Sequence, residues 1–250
     1  MIALPPQSRK LPLATHLAEL KRRILFCLAF FLLTVGLCYG GTDWLLEFFL
    51  APLRQASESD ISLIYTSLPE GFSVRITLAC QVAFLGSVPF FEWQLWKFIA
   101  PALYVRERVP IQVFLWSAPL LFVMGGLLAY GWVMPNAWRF FLSFVPTQGL
   151  PIYMVPKVAE YLKLSFQFIF AFGFCFQMPL LLIMLGQFKI IKSRHLVKGR
   201  RFVIVSIFIV AALLTPPDVL SQIALAIPLL ILYEGSIRII RVLEKKRDAS

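Results

Sequence analysis

The chain has 250 residues, of which 59% are hydrophobic and 15% aromatic, with 24 Phe and only 15% charged residues. Soluble domains are roughly 45–50% apolar and about 25% charged, and one ordinary core of this length could not bury so much Phe and Leu. A polytopic α-helical membrane protein, all-α and forming a single integral domain over residues 1–250, is the class that remains. The net charge of +11 would suggest a nucleic-acid ligand in a soluble protein. Here the basic residues cluster between apolar blocks, so the charge reads as membrane topology.

Residues 1–23 begin polar and become helix-like. Leu13, Leu17, Leu20 and Ile24 fall on one helical face, with Glu19, Lys21, Arg22 and Arg23 around the rest. The basic-then-apolar start resembles a signal peptide but lacks a convincing small-residue cleavage site, so it is read as an uncleaved first span over about residues 24–39. Gly40-Gly41 ends that span. Residues 42–53 are too short to cross a bilayer, and with Trp44 they read as an amphipathic interfacial helix stopped by Pro52. The second span covers about residues 72–91, with Arg75 snorkelling outward and Glu92 pairing locally at its end.

Residues 92–110 read as an interfacial loop, and residues 111–133 as the third span. Residues 134–160 contain Pro135, Pro146, Pro151 and Pro156 and read as a turn-rich loop with one short helix near residues 138–144. The fourth span is about residues 161–185. After a basic stretch come two more apolar blocks, residues 202–214 and 219–237, around the turn Thr215-Pro216-Pro217-Asp218. Thirteen helical residues reach only about 20 Å against an approximately 30 Å hydrocarbon core. The pair is therefore either one re-entrant hairpin or two short spans that thin the bilayer.

Nineteen Lys and Arg fall in the segments on one side of these spans and five elsewhere. This predicts six helices with both termini cytoplasmic. Cys27, Cys38, Cys80 and Cys175 lie inside apolar blocks without ligand spacing and read as packing residues. No nucleotide loop, metal cluster or nucleophile–base pair is found, so neither enzyme activity nor a cofactor is expected.

On so basic a cytoplasmic face, Glu19 and Glu107 stand out. Glu19 is also well placed for a simple i,i+4 pair with Arg23, and Glu107 for a plain surface role between Arg106 and Arg108. Gln177, an amide within the fourth span, requires a partner inside protein: a neighbouring helix of the chain or another membrane helix. Asp218 precedes Val219 and suits a helix cap. His16 and His195 are isolated. A small multi-pass transporter or a scaffold subunit of another membrane complex remains open on these grounds, although no internal repeat favours the former.

Several segments together resemble the TatC family, the large polytopic subunit of the twin-arginine (Tat) protein translocase. They are Leu13-Ala14-Thr15-His16-Leu17-Ala18-Glu19-Leu20-Lys21-Arg22-Arg23, then Ala51-Pro52-Leu53, then Phe98-Ile99-Ala100-Pro101-Ala102-Leu103-Tyr104 with Arg106-Glu107-Arg108. Phe172-Gly173 with Phe176-Gln177-Met178-Pro179, and Leu214-Thr215-Pro216-Pro217-Asp218-Val219, complete the series. The resemblance implies six helices with short fifth and sixth members in a bacterial cytoplasmic (inner) membrane, an organellar membrane being the other setting. It implies a receptor that binds the twin-arginine signal peptides of folded precursors at the cytoplasmic face. Assembly with TatA- and TatB-type single-span proteins and with further copies of the chain, and export driven by the proton-motive force, are implied as well.

By the same resemblance the signal-binding residues are Glu19 and Glu107, flanked by Phe98, Arg23, Arg108 and Lys21. Partner docking falls to Gln177, Thr215 and Gln222, and functional turns to Pro52, Pro216, Pro217 and Asp218. Two positions depart from the family pattern. Lys21 stands where an arginine is usual, replacing a fork with a point charge, and Gln177 stands where an embedded acid is usual.

Overall fold

The computed structural model describes residues 13–57, 62–99, 108–144, 155–187, 190–214 and 219–248, and these are overwhelmingly helical. The first helix, α1 (Leu13–Gly40), is followed at once by α2 (Thr42–Ala56). Pro52 does not stop α2, contrary to the sequence expectation; it lies inside the helix, which ends at Ser57. A proline deprives the carbonyl four residues earlier of its amide partner, and that carbonyl belongs to Phe48. The Tyr130 hydroxyl donates to it at 2.7 Å, and the Tyr161 hydroxyl donates to the next carbonyl, Phe49 O, at 2.5 Å. Side chains from two other helices thus complete α2 across its proline.

Helix α3 (Glu70–Ile99) begins with its own cap. The Glu70 carboxylate accepts from the backbone amides of Thr66 and Ser67 and from the Thr66 hydroxyl. The residues at 92–99, expected as loop, continue the helix, because Glu, Gln, Leu, Trp, Lys and Phe all tolerate it and no Gly or Pro intervenes. Arg75 reaches Asp43 of α2 at 2.6 Å with both side chains exposed, so its outward course ends in an ion pair.

Helix α4 (Arg108–Leu128) passes through one π turn (Ala129–Val133) directly into α5 (Met134–Leu142). The turn-rich loop expected from residue 134 therefore starts later. Pro135 sits in the first turn of α5, where its missing amide is tolerated, and the π turn absorbs the mismatch. The fourth expected span is broken into α6 (Val158–Cys175) and α7 (Met178–Gln187). Pro179 cannot donate to Cys175 O, and around it the Gln177 amide bonds instead to Phe174 O at 3.0 Å.

The last two helices are α8 (Ser193–Leu214) and α9 (Val219–Asp248). The expectation of short fifth and sixth helices is corrected here: both outrun their apolar blocks. Lys, Arg and Glu beyond the blocks are good helix formers and carry the helices on. Three contacts clip the pair. Glu244 accepts from the Ser193 amide and hydroxyl, Tyr233 donates to Leu196 O at 2.9 Å, and Arg200 meets Glu234 at 2.9 Å.

Among the described residues five stretches are long and apolar enough to cross a membrane: His16–Gly40, Glu70–Phe98, Trp116–Leu142, Val158–Gln187 and Gln222–Lys245. Helix α8 is not one of them, because Arg194, Lys198, Arg200 and Arg201 occupy its first turns. The main core gathers α2, α3, the π turn, α5, α6, α8 and α9 around Phe49, Phe166, Phe168 and Phe172, and a second cluster packs Tyr233 and Ile237 of α9 against Leu196 of α8. Helices α4 and α6 meet through glycines: a Cβ on Gly125 would stand 2.6 Å from Phe172 O, and one on Gly173 2.6 Å from the Phe122 ring. Helix α1 stands apart, packed mainly along α3, with Leu25, Leu32, Leu33 and Leu37 turned outward.

Candidate functional site

The first turns of α1 lie against the last turns of α3, where polar side chains gather. Glu19 Oε1 accepts twice from Arg23, from Nε at 3.0 Å and from Nη2 at 2.5 Å. The pair is i,i+4 on α1 and partly open to solvent, with 32% of the Glu19 side chain and 21% of the Arg23 side chain exposed. The same guanidinium crosses to α3, donating from Nη1 to Gln94 Oε1 at 3.1 Å and from Nη2 to Lys97 O at 3.3 Å. The Lys97 carbonyl is available because the residue four places on is Pro101, which has no amide hydrogen to give. One guanidinium is thus held by three acceptors: a carboxylate, an amide and a main-chain carbonyl.

Aromatic rings frame this cluster. His16 stacks on Phe98 with centroids 4.2 Å apart, and Lys97 Nζ lies 3.6 Å over the Trp93 ring, a cation–π distance. A cleft of about 270 Å³ opens between Glu19, Arg22, Arg23, Phe26, Gln94 and Lys97. Beside it, sharing Arg23 and Gln94, is a second cavity of about 330 Å³ whose walls are apolar, with Ile24, Cys27, Phe84, Phe91, Phe98 and Phe174 among them. A polar recess built to accept N–H donors therefore leads into an apolar slot between α1, α3 and α6.

Glu92 also lines the slot. Its expected role, local pairing at the end of a span, is corrected by its partner, which is 85 residues away: Gln177 Nε2 donates to Glu92 Oε1 at 2.5 Å and to Ala118 O at 2.8 Å. Gln177 thus ties α3 and α4 to the break between α6 and α7. The other carboxyl oxygen, Glu92 Oε2, is buried without a hydrogen bond among the described residues.

A model of the family described as Sec-independent protein translocase protein (TatC) matches residues 15–228. The chain belongs to the TatC family. It is 42% identical over 234 residues to the Sec-independent protein translocase protein TatC of Rickettsia prowazekii, covering 93% of each chain. It is 37% identical over 224 residues to the TatC of Escherichia coli, covering 89% of this chain and 85% of that one. Among solved structures it is similar to a crystal structure of the twin-arginine translocase receptor TatC, at 33% identity and a TM-score of 0.76, over 91% of this chain and 98% of the other. As a TatC-family chain it is a multi-pass membrane transport component, a protein translocase subunit and not an enzyme.

Of the site residues expected from sequence, Glu19, Arg23 and Phe98 come together at this end of the TatC fold. Lys21 is on α1 but points away, exposed and outside the cleft lining. Arg108 opens α4. Glu107, Thr215, Pro216, Pro217 and Asp218 lie outside the described residues. Gln177 and Gln222 both bond inward, Gln222 Nε2 donating to Phe208 O at 2.9 Å across the α8–α9 contact. Pro52 is buried on α2, remote in sequence from the recess.

Sequence reasoning missed Gln94, the Lys97 carbonyl and Trp93, and its reading of His16 as isolated is corrected by the stacking on Phe98. The signal for Gln94 was present: it lies four residues before Phe98, one helical turn away, once residues 92–99 are read as helix rather than loop.

Proposed function

We propose that this chain is the core receptor subunit of a twin-arginine translocase, taking the arginine pair of signal peptides of folded precursors at the recess between α1 and α3. The observation that carries this reading is the way Glu19, Gln94 and the Lys97 carbonyl surround a guanidinium, since a site that holds one arginine has the acceptor geometry for another. Glu107 supplies the second carboxylate, with Phe98, Arg108 and Lys21 around the peptide. The apolar slot beside the recess suits the hydrophobic stretch of such a peptide.

The rest follows from the same family and from charge. The chain spans a bacterial inner membrane as a single domain with six helices, α8 being the span whose basic first turns lie at the cytoplasmic surface, and both termini are cytoplasmic. This orientation rests on the nineteen-to-five distribution of Lys and Arg. Single-span TatA- and TatB-type proteins dock near Thr215 and Gln222 and around Gln177, other copies of the chain assemble with it, and the proton-motive force drives export.

The test is a peptide-binding series in nanodiscs at fixed salt, with Arg-Arg and Lys-Lys peptides against the parent chain, Glu19→Gln, Glu107→Gln and the double variant. Hydrogen bonds to charged groups contribute roughly 1.5–3 kcal/mol each, so losing one carboxylate weakens Arg-Arg binding about ten- to a hundredfold. The Lys-Lys peptide binds poorly from the start, lacking the planar fork, and loses little more. Equal losses for both peptides would reduce the carboxylates to general attraction, and no loss for either would leave Glu19 as a helix partner of Arg23.

A further inference from the structure

The recess is already occupied by an arginine of the chain itself. We infer that Arg23 is an internal pseudo-ligand: it fills the guanidinium cage of Glu19, Gln94 and Lys97, and an incoming arginine must displace it. This rests on the reading of the recess as the arginine-binding site and assigns Arg23 a different role there, competitor instead of contact.

The geometry supports displacement. Both Arg23 bonds to Glu19 fall on a single oxygen, and the remaining two go to a neutral amide and a main-chain carbonyl. This is the acceptor set an external guanidinium needs, and Arg23 takes up the Gln94 and Lys97 acceptors together with one of the two Glu19 oxygens. Arg23 is only four residues from Glu19 on the same helix, so it is always at hand and refills the cage when a ligand leaves. The hold is also weak enough to yield: i,i+4 ion pairs near the surface contribute only a few tenths of a kcal/mol to helices. A non-cognate peptide with single-bond cations competes poorly against a resident fork, whereas an arginine pair that also engages a second carboxylate wins. The internal arginine thereby raises the selectivity of the site and lowers its absolute affinity.

The experiment is a set of Arg-Arg peptide titrations in nanodiscs with Arg23→Lys, Arg75→Lys, Glu19→Gln and the Glu19→Gln/Arg23→Lys pair. Arg23→Lys leaves net charge unchanged but removes the fork. It is expected to tighten Arg-Arg binding about two- to fivefold, the equivalent of losing one weak surface ion pair as competitor. Arg75→Lys, in the exposed pair with Asp43 at the opposite end of α3, is expected to change nothing. In the Glu19→Gln background Arg23→Lys confers no gain, because the contested carboxylate is gone. Arg23→Gln provides a second variant with at least as large a gain. Thermal unfolding of each variant shows whether the clip between α1 and α3 has been lost. Weaker or unchanged binding in both Arg23 variants, with Glu19→Gln still impaired, overturns the pseudo-ligand while leaving the site intact. A Glu19→Gln variant with normal Arg-Arg binding overturns the site itself.

Discussion

Replacing Gln177 with leucine separates internal packing from partner docking. Both protons of the amide nitrogen are spent inside the chain, on Glu92 Oε1 at 2.5 Å and Ala118 O at 2.8 Å. Leucine is close in volume but donates nothing. Side-chain hydrogen bonds between membrane helices contribute about 0.6 kcal/mol on average and up to about 1.7, so two lost bonds remove about 1–3 kcal/mol. Glu92 Oε2 is already buried without a hydrogen bond among the described residues, and its partner oxygen joins it, which adds about 1–3 kcal/mol for an unsatisfied buried acceptor. A total of about 2–6 kcal/mol corresponds to roughly 4–24 °C for a chain of this size. The assay is thermal unfolding in detergent for Gln177→Leu, Glu92→Leu and the double variant. Removing both partners leaves no buried carboxyl oxygen unpaired, and the Ala118 carbonyl keeps the amide partner of its own helix, so the double variant recovers more than half of the loss and the cycle shows a coupling above about 1 kcal/mol. A Gln177→Leu protein that melts within about 1 °C of the parent while losing its single-span partners would refute this, and the amide would then act outward.

Two further substitutions test the packing that positions the recess. Gly125→Ala puts a Cβ 2.6 Å from the Phe172 carbonyl, a main-chain atom that cannot swing away, and is expected to destabilise by about 1–3 kcal/mol, read as a lower unfolding temperature. Tyr130→Phe leaves Phe48 O without its donor, costing about 0.5–1.5 kcal/mol; in a Pro52→Ala background, where residue 52 regains an amide, the same change should cost measurably less.

Much of the helical layout is legible in the chain because lipid imposes a coarse rule: apolar blocks must be helices and charge must sit between them. Helix ends are less legible, and for one recurring reason. Pro52 and Pro135 were read as local breakers and Pro179 was left inside an unbroken fourth span, yet the first is inside a helix, the second opens one, and the third interrupts a span. What decides among these outcomes is whether another group takes over the orphaned carbonyl, and the donor for Pro52, Tyr130, comes from 82 residues away from Phe48. Sequence-local reasoning has no access to that donor. The same limit applies at residues 92–99, where aromatic and charged residues look interfacial but extend α3 far enough for Gln94 and the Lys97 carbonyl to reach Arg23.

The site shows the same division. Glu19 was singled out by its rarity on a basic face, and its i,i+4 partnership with Arg23 was legible from spacing alone; both hold at once, since the pair sits in a cleft shared with α3. Gln177 was noticed as an amide standing where the family resemblance implies an acid. Its counterpart is Glu92, on the neighbouring helix and within hydrogen-bond reach. The contact between α3 and the α6–α7 break therefore still contains a carboxyl group, contributed by α3 instead of the helix for which the resemblance implies it. The amide gives an N–H donor to one carboxyl oxygen, so glutamine at position 177 leaves an acid at the place where the helices meet.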